Sequence, residues 1–565
     1  MQLLFIKLLG LISLVVFFGI QAIDFEALSY DDQMYVFDNP KVLSGLSIDN
    51  TKWALTETGG TNLWHPLTWM SHQLDVTLWG PDAKSHHAVN LLLHGLNTVV
   101  VFFLLLKITT SKWLSLFIAA LFAVHPHAAE VVGWISERKE LLSSLFGLSC
   151  LLSWTHSLET NKKQYYWLSL TLMFLACLSK PSMVVIPGAL IMLSFWHGHK
   201  LGTKTDYKTL LIRILPFCIL ACACAYIAIS VQASGDFGRL AGQLPLSKRI
   251  AFLPHVIGHY LASTFSPNDL KLFNLYPTTT PSLWWSIILW GGGVAVIALC
   301  HRLKLHLPLF GIGWFLCFLL PVMGFIPVSE HYVASRYAYI PQIGLFIAAA
   351  GIIHHFLLKK NNATLFNLAK LASVASILLL TILGHRQLSY WKDGITLFSH
   401  EVKLTPKDQK AWIQLGISLG SKNHINESIQ AFRTAATLPG NKYAAHTNLA
   451  LQLYKQGDLK SAAASFEIAT QANQIDSSLA HRMLANIHFK QKRIDQGIKT
   501  LREALLLFPN DPAMISDLAT ALGLIKHQYK ESIDLFKKAR ILDPNSTLIQ
   551  ANEAKVIRKM KAAHR

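Results

Sequence analysis

Long apolar runs in the first part of this chain constrain its fold most, because a helix needs about 20 apolar residues to cross a bilayer. Such runs recur from residue 3 to about residue 390 of the 565-residue chain. They lie near 3–22, 88–106, 113–128, 140–156, 164–179, 182–197, 209–232, 283–300, 307–327, 338–357 and 367–385. The sequence therefore predicts an all-α protein in which residues 1–390 form a polytopic membrane domain of about eleven spans.

Charge sets the predicted orientation of these spans. Only 15% of the residues are charged, and the formal net charge of +19 is scattered over short loops rather than gathered in a basic stripe among surface aromatics. This pattern predicts contact with a lipid bilayer and no nucleic-acid partner. With a cytoplasmic N-terminus, loops containing Lys107, Lys162 and Lys359 all fall on the cytoplasmic side. We treat segment 249–265 as interfacial or re-entrant, because a span there would reverse the later loops. The first extracytoplasmic loop is then 24–87, and the C-terminal region is also extracytoplasmic.

An internal repeat organises the polar C-terminal region. One apolar column recurs every 34 or 35 residues, at Phe398, Phe432, Phe466, Leu501 and Phe536. A column of small residues keeps the same period, at Ala435, Ala469, Ala504 and Ala539. This is the period of tetratricopeptide repeats (TPRs), which form α-solenoids that bind partners on a concave face.

We therefore expect a connecting half-repeat helix at 391–408, four TPRs at 409–546, and a capping helix and tail at 547–565. Because Phe398 lies one period before the first full repeat, we expect the solenoid to be docked rigidly to the membrane domain. A flexible linker is the alternative, although no Gly/Ser/Pro-rich stretch separates the two parts.

Ionisable residues cluster in the loops predicted to be extracytoplasmic, and such residues beside a membrane are candidates for function. The candidates are Asp31, Asp32, His65, His125, Glu130, Arg138, Lys139, Lys180, Arg336 and Tyr337. A solvated acidic loop would explain the Asp pair, and lipid headgroups would explain each basic residue singly. Together, carboxylates and cations on one side suit a site that binds a phosphate and activates a hydroxyl.

Other chemistries have less support. The chain has no H-E-x-x-H, Gly-Lys phosphate loop or C-x-x-C motif. A transporter would carry its charges near the bilayer midplane. The 25 histidines lack a recognisable ligand spacing, so no cofactor is assigned and a divalent metal is left open.

Several motifs in order resemble a known family: "WHPLTWMSHQLD", "LFAVHPHAAEVVGWISERKELLSSLF", "SKPSMVVIP" and "SRYAYIPQIG", followed by the repeats. The chain resembles bacterial TPR-containing GT-C glycosyltransferases and the transmembrane-and-TPR-repeat protein O-mannosyltransferases. The resemblance implies transfer of a mannose-like monosaccharide from a polyprenyl-phosphate donor to Ser or Thr hydroxyls of extracytoplasmic proteins. It also favours a bacterial inner membrane as the location.

The resemblance implies roles for particular residues. Asp31 and Asp32 match the acidic motif of the first outer loop, and one of them would be the catalytic base of a direct, inverting displacement. Four cations would bind the donor phosphate: Arg138, Lys139, Lys180 and Arg336. Supporting roles fall to His65, His125, Glu130 and Tyr337.

The chain departs from the family pattern at two positions. Gln33 replaces a frequent third acid of the first outer loop, which weakens the case for a metal there. The family's A-D-R-Y is here "ASRY" at 334–337, which keeps the arginine but not the acid.

Two other functions stay open. The chain could be a non-catalytic membrane-anchored TPR scaffold for envelope proteins, although eleven spans are excessive for an anchor. It could also be a transferase acting on lipid-linked glycans, which would give polysaccharide defects rather than missing glycoproteins.

Overall fold

The structure, a computed structural model, describes residues 2–57, 63–203, 206–233, 245–274, 283–325, 331–360, 362–472 and 477–563. Within these ranges the chain is helical and no β-strand is found. It divides into two compact units, 1–404 and 405–565.

The first unit is a bundle of long apolar helices with short helices between them. Its α-helices are Gln2–Gly19, Pro40–Leu43, Ile48–Thr56, Pro66–Trp79, Ala83–Thr109, Lys112–Val124, Ala128–Gly133, Arg138–Thr160, Lys163–Ser179, Ile186–Leu201, Tyr207–Ala233, Leu246–Phe265, Leu283–Arg302, His306–Leu319, Pro341–Lys360, Ala363–Ser389 and Gly394–Leu404.

Eight helices in the described residues are long and apolar enough to cross a membrane, by length and composition. They are Leu4–Asp24, Ala83–Thr109, Ile135–Thr160, Pro181–Leu201, Tyr207–Val231, Trp284–Arg302, Pro341–Lys360 and Ala363–Ser389. Each corresponds to one of the eleven predicted spans. The other three predicted spans form the shorter helices Lys112–Val124, Lys163–Ser179 and His306–Val322. Segment 249–265 lies within the 20-residue helix Leu246–Phe265, which is not among the eight.

Close helix packing explains why small residues interrupt some apolar runs. Gly311 and Gly344 lie where helices His306–Leu319 and Pro341–Lys360 meet, and a Cβ added at Gly311 would lie 2.4 Å from the carbonyl oxygen of Gly344. Only glycine allows the two backbones to approach this closely.

Short elements position the loops that follow the first long helix. A π-helical turn, Gln33–Phe37, follows the Asp pair, and a 3₁₀ turn, Ile135–Glu137, precedes helix Arg138–Thr160. Another 3₁₀ turn, Ser335–Ala338, carries Arg336. The candidate residues therefore lie at turns and helix ends, where consecutive side chains diverge.

The second unit is built of paired helices with the predicted repeat. Its helices are Gln409–Ser421, Ile425–Thr437, Lys442–Gln456, Leu459–Ala472, Ser478–Lys490, Ile494–Leu507, Pro512–Leu524, Tyr529–Leu542 and Thr547–Ala563. The predicted columns form its core, since Phe432, Phe466, Leu501 and Phe536 are all fully buried. The hydroxyl of Ser428 donates to the carbonyl oxygen of Gly416 at 2.6 Å, which ties the two helices of the first pair together.

Helix Gly394–Leu404, within the predicted connecting segment 391–408, belongs to the first unit. Phe398 is fully buried there and stacks on Phe273, with ring centroids 6.2 Å apart. The first member of the periodic Phe column thus packs against a loop of the first unit.

Candidate functional site

The two adjacent aspartates of the first loop have different surroundings. Asp32 is fully buried. Its Oδ2 accepts from the backbone N–H of Leu28 at 3.0 Å, and its Oδ1 accepts from the backbone N–H and hydroxyl of Ser136. Asp32 therefore joins the first loop to the 3₁₀ turn before helix Arg138–Thr160.

Asp31 is half-buried, and among the described residues no donor lies within hydrogen-bond distance of its carboxylate. Burial raises its pKa, although the positive charges of Lys139 and Arg336 oppose the shift. Burial also raises the pKa of Asp32, to about 6, against the hydrogen bonds from Ser136 and Leu28. Asp31 is thus the less restrained carboxylate, and it lies close to two cations.

Three cations from distant parts of the chain converge on Glu137. Its carboxylate oxygens lie 2.9 Å from Lys139 Nζ, 3.7 Å from Lys180 Nζ and 3.6 Å from Arg336 Nε. Glu137 itself is 1% exposed. Three of the four predicted phosphate-binding residues are therefore brought together.

Two further glutamates hold the same cations. Glu140 lies 2.6 Å from Lys180 Nζ. Glu130 is ion-paired with Arg336 and also accepts from its backbone N–H at 3.1 Å. Burial lowers the pKa of Lys180, but Glu140 and Glu137 outweigh it and raise that pKa. Lys180 thus remains charged, and the glutamates hold the cations in place.

Aromatic faces complete the surroundings of the cations. Lys139 Nζ lies 5.6 Å from the ring centroids of both Tyr35 and Trp134. The guanidinium of Arg336 lies 4.8 Å from the ring of Tyr337 and 5.5 Å from that of Trp134. Such contacts favour a cation over its neutral form and limit its motion. We call the group Asp31, Glu130, Trp134, Glu137, Lys139, Glu140, Lys180, Arg336 and Tyr337 the cation cluster.

The two predicted supporting histidines occupy different places. His65 Nδ1 lies 3.2 Å from the Tyr35 hydroxyl. Burial lowers the pKa of His65 well below its usual range, and the charges of Lys139 and Lys180 lower it further, so the ring is neutral. His125 lies elsewhere, with Nε2 3.0 Å from the Thr264 carbonyl oxygen and its ring 4.5 Å from that of His127.

The structure does not bring Arg138 to the other predicted phosphate-binding residues. It is fully buried, is ion-paired with Asp75, and donates to Asn90 Oδ1 at 2.8 Å and to the His86 carbonyl oxygen at 2.6 Å. Consecutive residues of an α-helix point about 100° apart, so Arg138 and Lys139 face different surroundings.

One group in the described part of the chain has metal-ligand chemistry. The ligand atoms of His72, Asp75 and His86 all lie within 4.8 Å of one another, and all three residues are buried. His86 Nδ1 is 2.8 Å from Asp75 Oδ2, the oxygen that Arg138 also contacts. Because the guanidinium already compensates this carboxylate and would repel a dication, these residues do not fit a divalent metal.

Glu137 contacts all three cations of the cluster but is not among the predicted site residues. The sequence signal that could have indicated it is the run of four consecutive charges, E-R-K-E, at 137–140 beside an apolar stretch. Which of these four charges face each other depends on the 3₁₀ turn before the helix, and the spacing of the apolar runs does not indicate that turn.

Fold and repeats together define a class: a multi-pass helical protein with a TPR array. A tetratricopeptide-repeat family model matches residues 413–478 and 447–515. Solved structures are similar to part of the chain. MamA from Desulfovibrio magneticus RS-1 is 19% identical, with a TM-score of 0.25, and the match covers 27% of this chain and 85% of MamA.

Curated relatives narrow the class. The chain is 22% identical to protein O-mannosyl-transferase TMTC3 of Mus musculus over 94% of its own length and 60% of the relative's. It is 23% identical to protein O-mannosyl-transferase F38B6.6 of Caenorhabditis elegans, over 72% of this chain and 59% of the relative. The predicted resemblance to these transferases is confirmed. The chain spans about 60% of the length of these relatives.

Proposed function

We propose that this chain is a membrane glycosyltransferase that moves a mannose-like monosaccharide from a polyprenyl-phosphate donor to Ser or Thr hydroxyls of proteins. The observation that carries the proposal is the convergence of Lys139, Lys180 and Arg336 beside the Asp31 carboxylate. The names of relatives that match 94% and 72% of the chain support the same reaction class.

Asp31 is the catalytic base in this proposal. A base needs an accessible carboxylate whose pKa approaches the working pH. Asp31 is half-buried and burial raises its pKa, whereas the oxygens of Asp32 are occupied by Leu28 and Ser136. We assign Asp32 a structural role.

The proposed step is a direct displacement with inversion. The acceptor hydroxyl gives its proton to Asp31 while its oxygen bonds to the anomeric carbon. The bond between that carbon and the phosphate oxygen breaks, and the polyprenyl phosphate leaves with one more negative charge. Lys139, Lys180 and Arg336 stabilise this charge, since preorganised cations act most strongly where charge develops.

The glutamates do not exclude a phosphate from the cation cluster. Lys139 has an ion-pair contact with Glu137 alone among the described residues, which leaves other N–H groups of its ammonium for a ligand. The glutamates thus hold the cations in place and offset part of their positive charge. Arg138 has no part in this step, because its guanidinium is bound by Asp75 and Asn90.

We propose that the TPR array presents the acceptor protein, as TPR solenoids bind extended partners. Deleting residues 409–565 should leave donor binding intact and abolish selection of the natural acceptor. Unchanged modification of that acceptor would contradict this role. From the basic loops, we further propose a bacterial inner membrane with the cation cluster and the repeats on the extracytoplasmic side.

Mass spectrometry of envelope proteins from cells with and without this chain tests the proposal. We expect hexose on Ser or Thr residues of envelope proteins, and its loss from cells that lack the chain. The modification should return when membranes containing the chain receive polyprenyl-phosphate mannose. An altered lipid-linked glycan with unchanged proteins would favour the glycan transferase. No change in either product would favour the scaffold.

A further inference from the structure

Helix Gly394–Leu404, the last helix of the first unit, carries a buried carboxylate that the proposed reaction does not use. Glu401 is 2% exposed. Its Oε2 accepts from the backbone N–H of Leu272 at 2.9 Å, and its Oε1 accepts from that of Phe273 at 3.1 Å. A buried carboxylate is costly unless it is hydrogen-bonded, so this pair of bonds fixes segment 270–274 to the helix.

The anchored segment packs against the residue that precedes Asp31. The Phe273 ring lies 5.9 Å from that of Tyr30, in an edge-to-face arrangement, and Phe398 lies 6.4 Å from the same Tyr30 ring. Tyr30 also contacts Trp134 at 5.6 Å. Tyr30 is therefore held between the anchored segment and the cation cluster.

A second observation links Glu401 to the cluster. One small cavity of the first unit is lined by both Glu130 and Glu401, together with Leu272, Ser335 and Trp391. Glu130 is the ion-pair partner of Arg336. The anchored segment and the cation cluster thus border the same space.

We propose that Glu401 is a positioning residue for the transfer reaction: its two hydrogen bonds hold segment 270–274 and Tyr30, and thereby set the direction of the Asp31 carboxylate. This inference rests on the proposed function. A misplacement of about 1 Å can cost about 10²-fold in rate, because the base must reach the hydroxyl proton. We expect the effect on kcat, because the bonds described for Glu401 go to the backbone of segment 270–274 and the cations that would bind the donor are held by Glu130, Glu137 and Glu140.

The test uses the full chain in membrane vesicles with polyprenyl-phosphate mannose and an acceptor peptide. Glu401→Gln keeps the size of the side chain but replaces one acceptor oxygen by an NH₂ group facing a backbone N–H. We expect kcat per folded molecule to fall about 10-fold or more while the KM for the donor stays within about twofold. Lys403→Gln, an exposed change on the same helix, should match wild type.

Hydrogen exchange at the Leu272 and Phe273 amides supplies a readout independent of activity, and we expect faster exchange in Glu401→Gln. Phe398→Leu, which leaves both hydrogen bonds in place but removes the stacking on Phe273, should also lower kcat. A purely structural role would lower the yield and leave kcat per folded molecule unchanged.

The outcomes separate the two ideas. Wild-type kcat in Glu401→Gln, or unchanged exchange at residues 272 and 273, would refute the positioning role while the proposed function stands. A wild-type chain without any transfer would refute the proposed function and, with it, the catalytic role of this anchor.

Discussion

Replacing Asp31 and Asp32 one at a time distinguishes a catalytic base from a carboxylate that stabilises the fold. Asp31→Asn removes the only proton acceptor of the proposed step and breaks no hydrogen bond seen among the described residues. A general base contributes about 10²–10⁴-fold, or about 2.7–5.4 kcal/mol of transition-state stabilisation. We expect kcat to fall by that factor, with near-normal folding and donor KM.

Asp32→Asn should act on stability instead. The amide keeps one acceptor oxygen for Ser136, but its NH₂ group would face the N–H of Leu28, leaving two donors opposed. A buried unsatisfied group costs about 1–3 kcal/mol. We expect a lower melting temperature and yield, with kcat per folded molecule within about tenfold of wild type.

The assay is transfer of labelled mannose from polyprenyl-phosphate mannose to a Ser/Thr peptide in vesicles, with active chain quantified by gel filtration after extraction. Ser47→Ala, a change at a helix N-cap outside the cation cluster, serves as the matched control for mild destabilisation. The reasoning fails if Asp31→Asn retains more than about a tenth of wild-type kcat. It also fails if Asp32→Asn keeps the yield and melting temperature of the wild type but loses transfer activity.

Four further outcomes follow from the same contacts. Because burial raises the pKa of Asp31, the transfer rate should decline as pH falls through that pKa. The residual rate of Asp31→Asn should lack this decline, and identical pH profiles of the two proteins would contradict the role of Asp31 as the base. Lys180→Met should lower kcat/KM by about 10²-fold, and a rate near wild type would remove Lys180 from the phosphate site. Asp75→Asn leaves the charge of Arg138 buried and unpaired, so thermal unfolding should show that the free energy of unfolding falls by about 3–5 kcal/mol. An unchanged melting temperature would show that the ion pair does not stabilise the fold. Phe466→Ala should cost the repeat array about 3–5 kcal/mol, seen as an earlier helical transition by circular dichroism, and an unchanged transition would exclude Phe466 from the core.

The repeats were predictable because a 34-residue period leaves one buried position per helix pair in a fixed register. The columns through Phe432 and Ala435 are fully buried, as the pattern indicates. The spans were harder to count. Apolar stretches at 113–128 and 164–179 read as spans, yet their helices Lys112–Val124 and Lys163–Ser179 are only 13 and 17 residues long, because caps and breaks end a helix independently of hydropathy.

By itself, the sequence determined the two-part, all-helical organisation, the repeat register and the loops in which charges gather. These follow from local composition and periodicity, which a chain carries whatever its final packing. Only the tertiary structure decided which charges meet. Residues 31, 139, 180 and 336 come from four separate segments of the chain. The side-chain directions of Asp31 against Asp32, and of Lys139 against Arg138, depend on single turns of backbone. Long-range packing selects those turns, and no pattern along the chain records it.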